Sequence, residues 1–146
     1  MENKTSYQEL INSKGKIIVT PVGVSMMPLI RQGKDTVLIS KITQPLKKYD
    51  VVLFVRPDGK HVLHRIIKVK KNGYNICGDN QVIVEKNVPL DWIIGVMEGF
   101  YRDEDFIPIT DINYIKYSKK RVRNRKYRFI VWFIKAAFRK IFKKNK

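Results

Sequence analysis

The stretch KHVLHRIIKVKKNGYNICGDN, residues 60–80, decides how the chain folds. Residues 60–71 are rich in β-branched and apolar side chains and read as a strand. Asn72-Gly73 is the strongest two-residue hairpin signal in the chain, because both residue types tolerate the positive φ such turns need. Residues 74–80, YNICGDN, then read as the returning strand.

The same grammar extends outward. TVLISKI (36–42) and VVLFVRP (51–57) read as strands, the second closed by the turn signal Pro57-Asp58-Gly59. KIIVTPVGV (16–24) is a strand broken by Pro21 and Gly23. VIVEKNVPLDWIIGVMEGFYR (82–102) holds at least one more, around Trp92–Met97. Short strands with frequent turn signals predict a mainly β domain, a curled antiparallel sheet or partial barrel, over residues 15–110 or so. TSYQELINS (5–13) reads as a short helix that Thr5 can cap and Gly15 ends. Beyond Tyr114 the period changes. Ile130, Phe133, Ile134, Ala137, Phe138 and Ile141 recur at three- and four-residue steps, with Arg128, Lys135, Arg139 and Lys143 on the other side. That spacing predicts a C-terminal basic amphipathic helix over 126–144. The expected organisation is an N-terminal helix (1–14), a β domain (15–112) and a basic amphipathic tail (113–146).

With 146 residues, 44% of them hydrophobic, the chain can build one core. A single cysteine, Cys77, excludes an internal disulfide framework. MENKTSYQELINSKGK has no apolar segment of the kind a signal peptide carries, and no run of 18 apolar residues occurs. The expectation is a cytoplasmic protein, peripheral on the membrane if the tail binds lipid. The formal charge of +17 is uneven: 14 Lys and Arg and no acid follow from Lys116 onward. The first 115 residues hold the other 16 Lys and Arg against all 13 Asp and Glu, a net +3. Charge arguments therefore concern the tail. A basic helix with Phe129, Trp132, Phe133, Phe138 and Phe142 suits an anionic membrane surface, through residues 126–144. Packing on the β domain is the competing reading. Nucleic-acid binding by KKRVRNRKYR (119–128) ranks last.

Three polar spots stand in apolar surroundings: Ser25 in GVSMMP, His64, and the acids Asp79 and Glu85. Acyl transfer by serine needs a neighbouring base, an imidazole can accept the proton near neutral pH, and a carboxylate can orient that imidazole. The residue types alone suit a bland reading equally well: Ser25 ending a strand, His64 semi-buried and satisfied, Gly78-Asp79-Asn80 forming a turn. On strand 60–70, His64 shares a face with Val62 and Ile66, while His61 lies on the opposite face and reads as solvated. Two histidines so placed do not chelate one metal, so no metal and no cofactor are expected.

The motifs occur in a telling order. GVSMMP (23–28, with Gly33 and Asp35 behind it), YDVVLF (49–54), LHRII (63–67), CGDN (77–80) and IGV (94–96) together resemble the signal peptidase I and LexA-like superfamily of serine peptidases. The resemblance covers residues 15–100 or so. It implies curled antiparallel β sheets, Ser25 as nucleophile, and a precursor protein or leader peptide as substrate. Where most members carry a lysine base, this chain has His64-Arg65, like the signalase branch that uses histidine. In that branch the supporting acids fall at Asp79 and Glu85, and the resemblance leaves both open. It also implies the Ser25 backbone N–H as oxyanion donor; the side-chain hydroxyl other members place two residues earlier is replaced here by Gly23. Met26 and Met27 can line a substrate cleft or pack in the core. Asp35 and Asp50 read as structural turn residues. The alternative function is a catalytically inactive relative that binds peptide or nucleic acid through its basic tail.

Overall fold

The computed structural model describes the backbone of residues 4–144 and the side chains of 7–143. Helix α1 (Lys4–Lys14) leads into eight strands: β1 (Lys16–Val19), β2 (Thr36–Ser40), β3 (Val51–Val55), β4 (His61–Lys70), β5 (Gly73–Cys77), β6 (Glu85–Val88), β7 (Ile93–Arg102) and β8 (Asp105–Pro108). Helices α2 (Ile112–Arg123) and α3 (Arg125–Lys144) follow. All strand pairs are antiparallel, in the order β1-β2-β7-β3-β4-β5-β6. The sheet stays open, with β1 and β6 at its ends. β8 adds to the far end of β7, so that one rim of β7 serves β3 through residues 93–96 and β8 through 99–102.

β3 shows why the fold holds together. Its five consecutive apolar residues are all buried, because the sheet is covered on both faces. Val51, Leu53 and Val55 pack with Ile11, Val37, Phe100 and Tyr114 in one core. Val52 and Phe54 face the other way, into a second core with Ile66, Ile76, Val88 and Ile93. Period-two alternation thus builds two cores from one strand.

The β4–β5 hairpin forms one residue earlier than the Asn-Gly signal indicates. Lys70 pairs with Gly73, so Lys71 and Asn72 make the turn and Gly73 begins β5. Gly73 is needed there for space: a Cβ would come within 2.8 Å of the Val88 carbonyl oxygen on β6. Gly15, at φ 78°, ends α1 by donating its N–H to the Ile11 carbonyl at 2.8 Å. The side chain of Thr5, the expected cap, lies outside the described residues. Strands β6 and β8 were not marked out individually: both are four-residue edge segments, EKNV being mostly polar and DFIP too short to show an alternation.

Helix α2 is the larger surprise, because polar contacts join Tyr114 in anchoring it. Asp111 caps it by accepting the Tyr114 N–H at 2.8 Å, and its buried residues are Tyr114 and Ser118. A period search for apolar side chains passes over such a helix.

Candidate active site

The Ser25 segment is a loop pinned from below. Met26, Leu29 and Ile30 are buried in the first core, and the Met27 and Ile30 N–H groups donate to the Val24 and Met26 carbonyls at 3.1 and 3.0 Å. Gly23 sits at φ 93°, a left-handed conformation that glycine adopts freely and that bends the chain into this loop. Behind the loop, buried Asp35 accepts from the Arg31 backbone and guanidinium and from Arg102. Burial alone would raise the Asp35 pKa, but these hydrogen bonds outweigh it and hold the carboxyl below its ordinary value. Asp50 likewise closes a turn, accepting from the Lys47 N–H at 2.8 Å.

The Gly78-Asp79-Asn80 turn clasps this loop from the side. Asn80 donates its backbone N–H to the Ser25 carbonyl at 2.7 Å and its side-chain amide to the Val24 carbonyl at 3.1 Å. The Asp79 N–H approaches Met26 Sδ at 3.5 Å. Gly78 lies between the Ser25 carbonyl and the His64 ring. A Cβ there would stand 2.7 Å from the Ser25 carbonyl oxygen and 3.0 Å from His64 Nε2. Only a residue without a side chain lets the two segments approach this closely.

His64 lies on β4 opposite Val52, with the Phe54 ring 6.0 Å away, and is 2% exposed. Its two ring nitrogens see different surroundings. Nε2 faces Gly78 and the Ser25 segment. Nδ1 lies 3.3 Å from Glu85 Oε1, within ion-pair range but off the line of a good hydrogen bond. Glu85 is itself gripped by the Arg56 guanidinium, with Nε at 3.0 Å from Oε2. Burial pushes the His64 pKa down to about 4; the Arg56 charge adds to this, and Glu85 and Asp79 oppose it. At neutral pH the imidazole is therefore unprotonated, the state a general base requires.

Asp79 does something else. Its carboxylate accepts a two-pronged interaction from Arg65, 2.8 Å on each oxygen, and a third bond from the Tyr117 hydroxyl at 3.1 Å. Arg65 is 1% exposed and also donates to the Tyr49 carbonyl and to Ser118 on α2. On the main chain, the Asp79 carbonyl accepts from Arg121 at 2.7 Å and Arg128 at 2.9 Å. Of the two acids, Glu85 is the one beside His64, while Asp79 locks the supporting turn onto β4, α2 and α3. Sequence patterns gave Arg65, Arg121 and Arg128 no part in holding the Asp79 turn. The available signal was a charged residue inside the apolar run LHRII, which only a buried partner explains.

These groups border a cavity of about 420 Å³ lined by Ser25, Met26, Leu53, Leu63, His64 and Gln81, among others. Met26 contributes to both cavity wall and core; Met27 is half-buried and is not part of the lining. His61 also borders the cavity, packed edge-on against the Tyr7 ring at 5.0 Å, so it is less solvated than its strand position indicated. The Ser25 hydroxyl and backbone N–H form no hydrogen bond among the described residues. No cluster of three or more potential metal ligands occurs among the described residues.

No family model, curated protein or solved structure significantly matches this chain. The assignment of function consequently rests on the arrangement of Ser25, His64, Glu85 and the Gly78 turn.

The burial of neutral His64 has a measurable consequence. Its folded pKa lies below the ordinary value of 6.5, so the unfolded chain takes up the proton first as pH falls. The stability it confers is complete above pH 6.5 and is lost progressively towards pH 4, by about 3 kcal/mol. Denaturant unfolding of wild type and His64→Asn across this range should show a steeper acid decline in wild type. Parallel curves would contradict the neutral, buried state of His64.

Proposed function

We propose that the protein is a serine endopeptidase of signal-peptidase-like type that cuts a leader peptide or another precursor protein. The observation that carries this reading is the opposed environment of the His64 ring, with Nε2 towards the serine loop and Nδ1 towards Glu85. In this mechanism Ser25 Oγ attacks the scissile carbonyl carbon and His64 Nε2 accepts the hydroxyl proton. The tetrahedral oxyanion forms beside the Ser25 backbone N–H. Collapse breaks the C–N bond as His64 returns the proton to the leaving amine. Water, deprotonated by His64, then hydrolyses the acyl-enzyme. Glu85 stabilises the imidazolium that exists between these transfers. The apolar walls at Met26, Leu53 and Leu63 suit a small or apolar side chain before the cut.

The tail supplies the place of work. No described helix is long and apolar enough to cross a membrane. Along α3, however, Phe133, Phe138, Ile141 and Phe142 are each more than half exposed, and the helix carries basic residues and no acid. In our reading α3 is a basic amphipathic helix that lies in an anionic membrane surface and holds the catalytic domain at the cytoplasmic face.

Treatment with a peptidyl phosphonate tests the catalytic reading. A mass adduct on Ser25 that is absent in His64→Ala supports it; no adduct on a folded wild-type protein overturns it. Glu85→Gln should reduce cleavage about 100-fold with the fold intact, because it removes the carboxylate that stabilises the imidazolium. Unchanged turnover in Glu85→Gln would remove Glu85 from the mechanism. A second reading, an inactive relative that only binds peptide, draws on the missing hydrogen bond between Ser25 and His64, and predicts no adduct at all.

A further inference from the structure

Away from the catalytic cavity, a groove of about 1200 Å³ runs between the sheet and the elbow where α2 meets α3. Its floor is apolar and comes from separate elements: Ile67 on β4, Val82 to Val84 in the β5–β6 connection, Val122 on α2, and Phe129 and Ile130 on α3. Its rim is cationic, with Lys48, Lys68, Lys86, Lys119, Arg123 and Lys126 among the lining residues and no carboxylate. None of these six cations is in an ion pair among the described residues. The protein pairs charge at Arg65–Asp79, Arg56–Glu85 and Arg31–Asp35, while most of its Lys and Arg, these six included, have no carboxylate partner among the described residues. Here it gathers like charges around an apolar trough, which costs electrostatic energy unless an anion joins them.

We propose that this groove binds one anionic phospholipid, its headgroup phosphate among the rim cations and an acyl chain along the floor. Charge complementarity requires an anion, and the floor requires that the anion carry a hydrocarbon part. A nucleic-acid strand matches the rim but not the trough, whose lining is mainly aliphatic and offers few aromatic faces for base stacking. The groove also opens where α3 begins. Phe129 and Ile130 line it, and Phe133 and Ile134 continue the same helix outward, exposed. A lipid seated in the groove would therefore lie where a membrane meets α3. The site deepens the membrane reading of the tail, and rests on it in part, by naming the lipid and placing it on the β domain rather than on the helix alone.

The test uses the full chain and dihexanoyl phosphatidylglycerol below its critical micelle concentration, followed by amide chemical shifts. The expected result is saturable binding that moves the resonances of Ile67, Lys68, Val122 and Ile130. Dihexanoyl phosphatidylcholine and glycerol phosphate should each bind at least about tenfold more weakly, and Lys68→Glu/Lys119→Glu should lose at least about tenfold in affinity. Phe133→Ser/Phe138→Ser, on residues outside the groove, should weaken adsorption to phosphatidylglycerol vesicles while leaving the short-chain lipid bound as before. This separates the groove from the outer face of α3. No saturable shift at the groove, equal affinity for glycerol phosphate, or tighter binding of a single-stranded oligonucleotide to the same residues would each overturn the proposal. If Phe133→Ser/Phe138→Ser abolished both binding events, the groove would not be a separate site.

Discussion

Ser25→Ala should abolish cleavage while leaving the protein folded. The expected loss is about four orders of magnitude or more in turnover of any peptide the wild-type chain cuts, the usual scale for removing a covalent nucleophile. Structure predicts little effect on stability. The loop is held by Met26, Leu29 and Ile30 in the core and by the Ser25 carbonyl, which alanine retains. The Ser25 hydroxyl has no hydrogen-bond partner to lose among the described residues. His64→Ala should cost a similar factor, and the double variant little more than either alone, because in the proposed mechanism nucleophile and base act as one unit. Additive losses would mean that the two residues do not cooperate.

Asp79→Ala should act on stability first. It strands the Arg65 guanidinium, 1% exposed, without its carboxylate. Orphaning a buried charge in this way typically costs about 3–5 kcal/mol. A domain of this size has only about 5–15 kcal/mol to lose, so the variant should unfold at much lower denaturant. Arg65→Met/Asp79→Ala removes the stranded charge and should recover much of the loss. Denaturant midpoints of the three proteins decide the matter. A fall of less than about 1 kcal/mol in Asp79→Ala would show that the pair is not a buried lock. The contrast with Glu85→Gln is informative. One acid should register mainly in stability and the other mainly in rate, a separation that neither residue type nor spacing supplies.

Much of the sheet was legible because its strands are apolar and bounded by Pro and Gly. VVLFV at 51–55 and HVLHRIIKVK at 61–70 declare themselves in this way. The elements that escaped are short or only partly apolar, although each sends a side chain into a core: Tyr114 from α2, Val88 from β6 and Ile107 from β8. Helix α2 docks through Tyr114 and Ser118 onto Arg65, and the edge strands β6 and β8 are four residues each, too short for a pattern to show. The site divides along the same line. Ser25, His64 and the two acids could be nominated from motif order, but their partition could not. Which carboxylate reaches His64 depends on Arg65 and Arg56 each claiming one, at the 2.8 Å of Arg65–Asp79 and through the Arg56–Glu85 pair. Those pairings join residues 14 and 29 positions apart, beyond any local pattern. Gly78 is similar: its sequence marks a turn, and only the folded chain reveals that a side chain there would run into the Ser25 carbonyl and His64 Nε2.

The most direct measurement of the central claim compares the protein N-termini of cells that carry the wild-type chain with those of cells that carry Ser25→Ala, at equal expression. A serine endopeptidase predicts a set of N-termini present with wild type and missing with Ser25→Ala, sharing a preference in the residues before the cut. Identical sets of termini, with the Ser25→Ala protein folded, would contradict the claim.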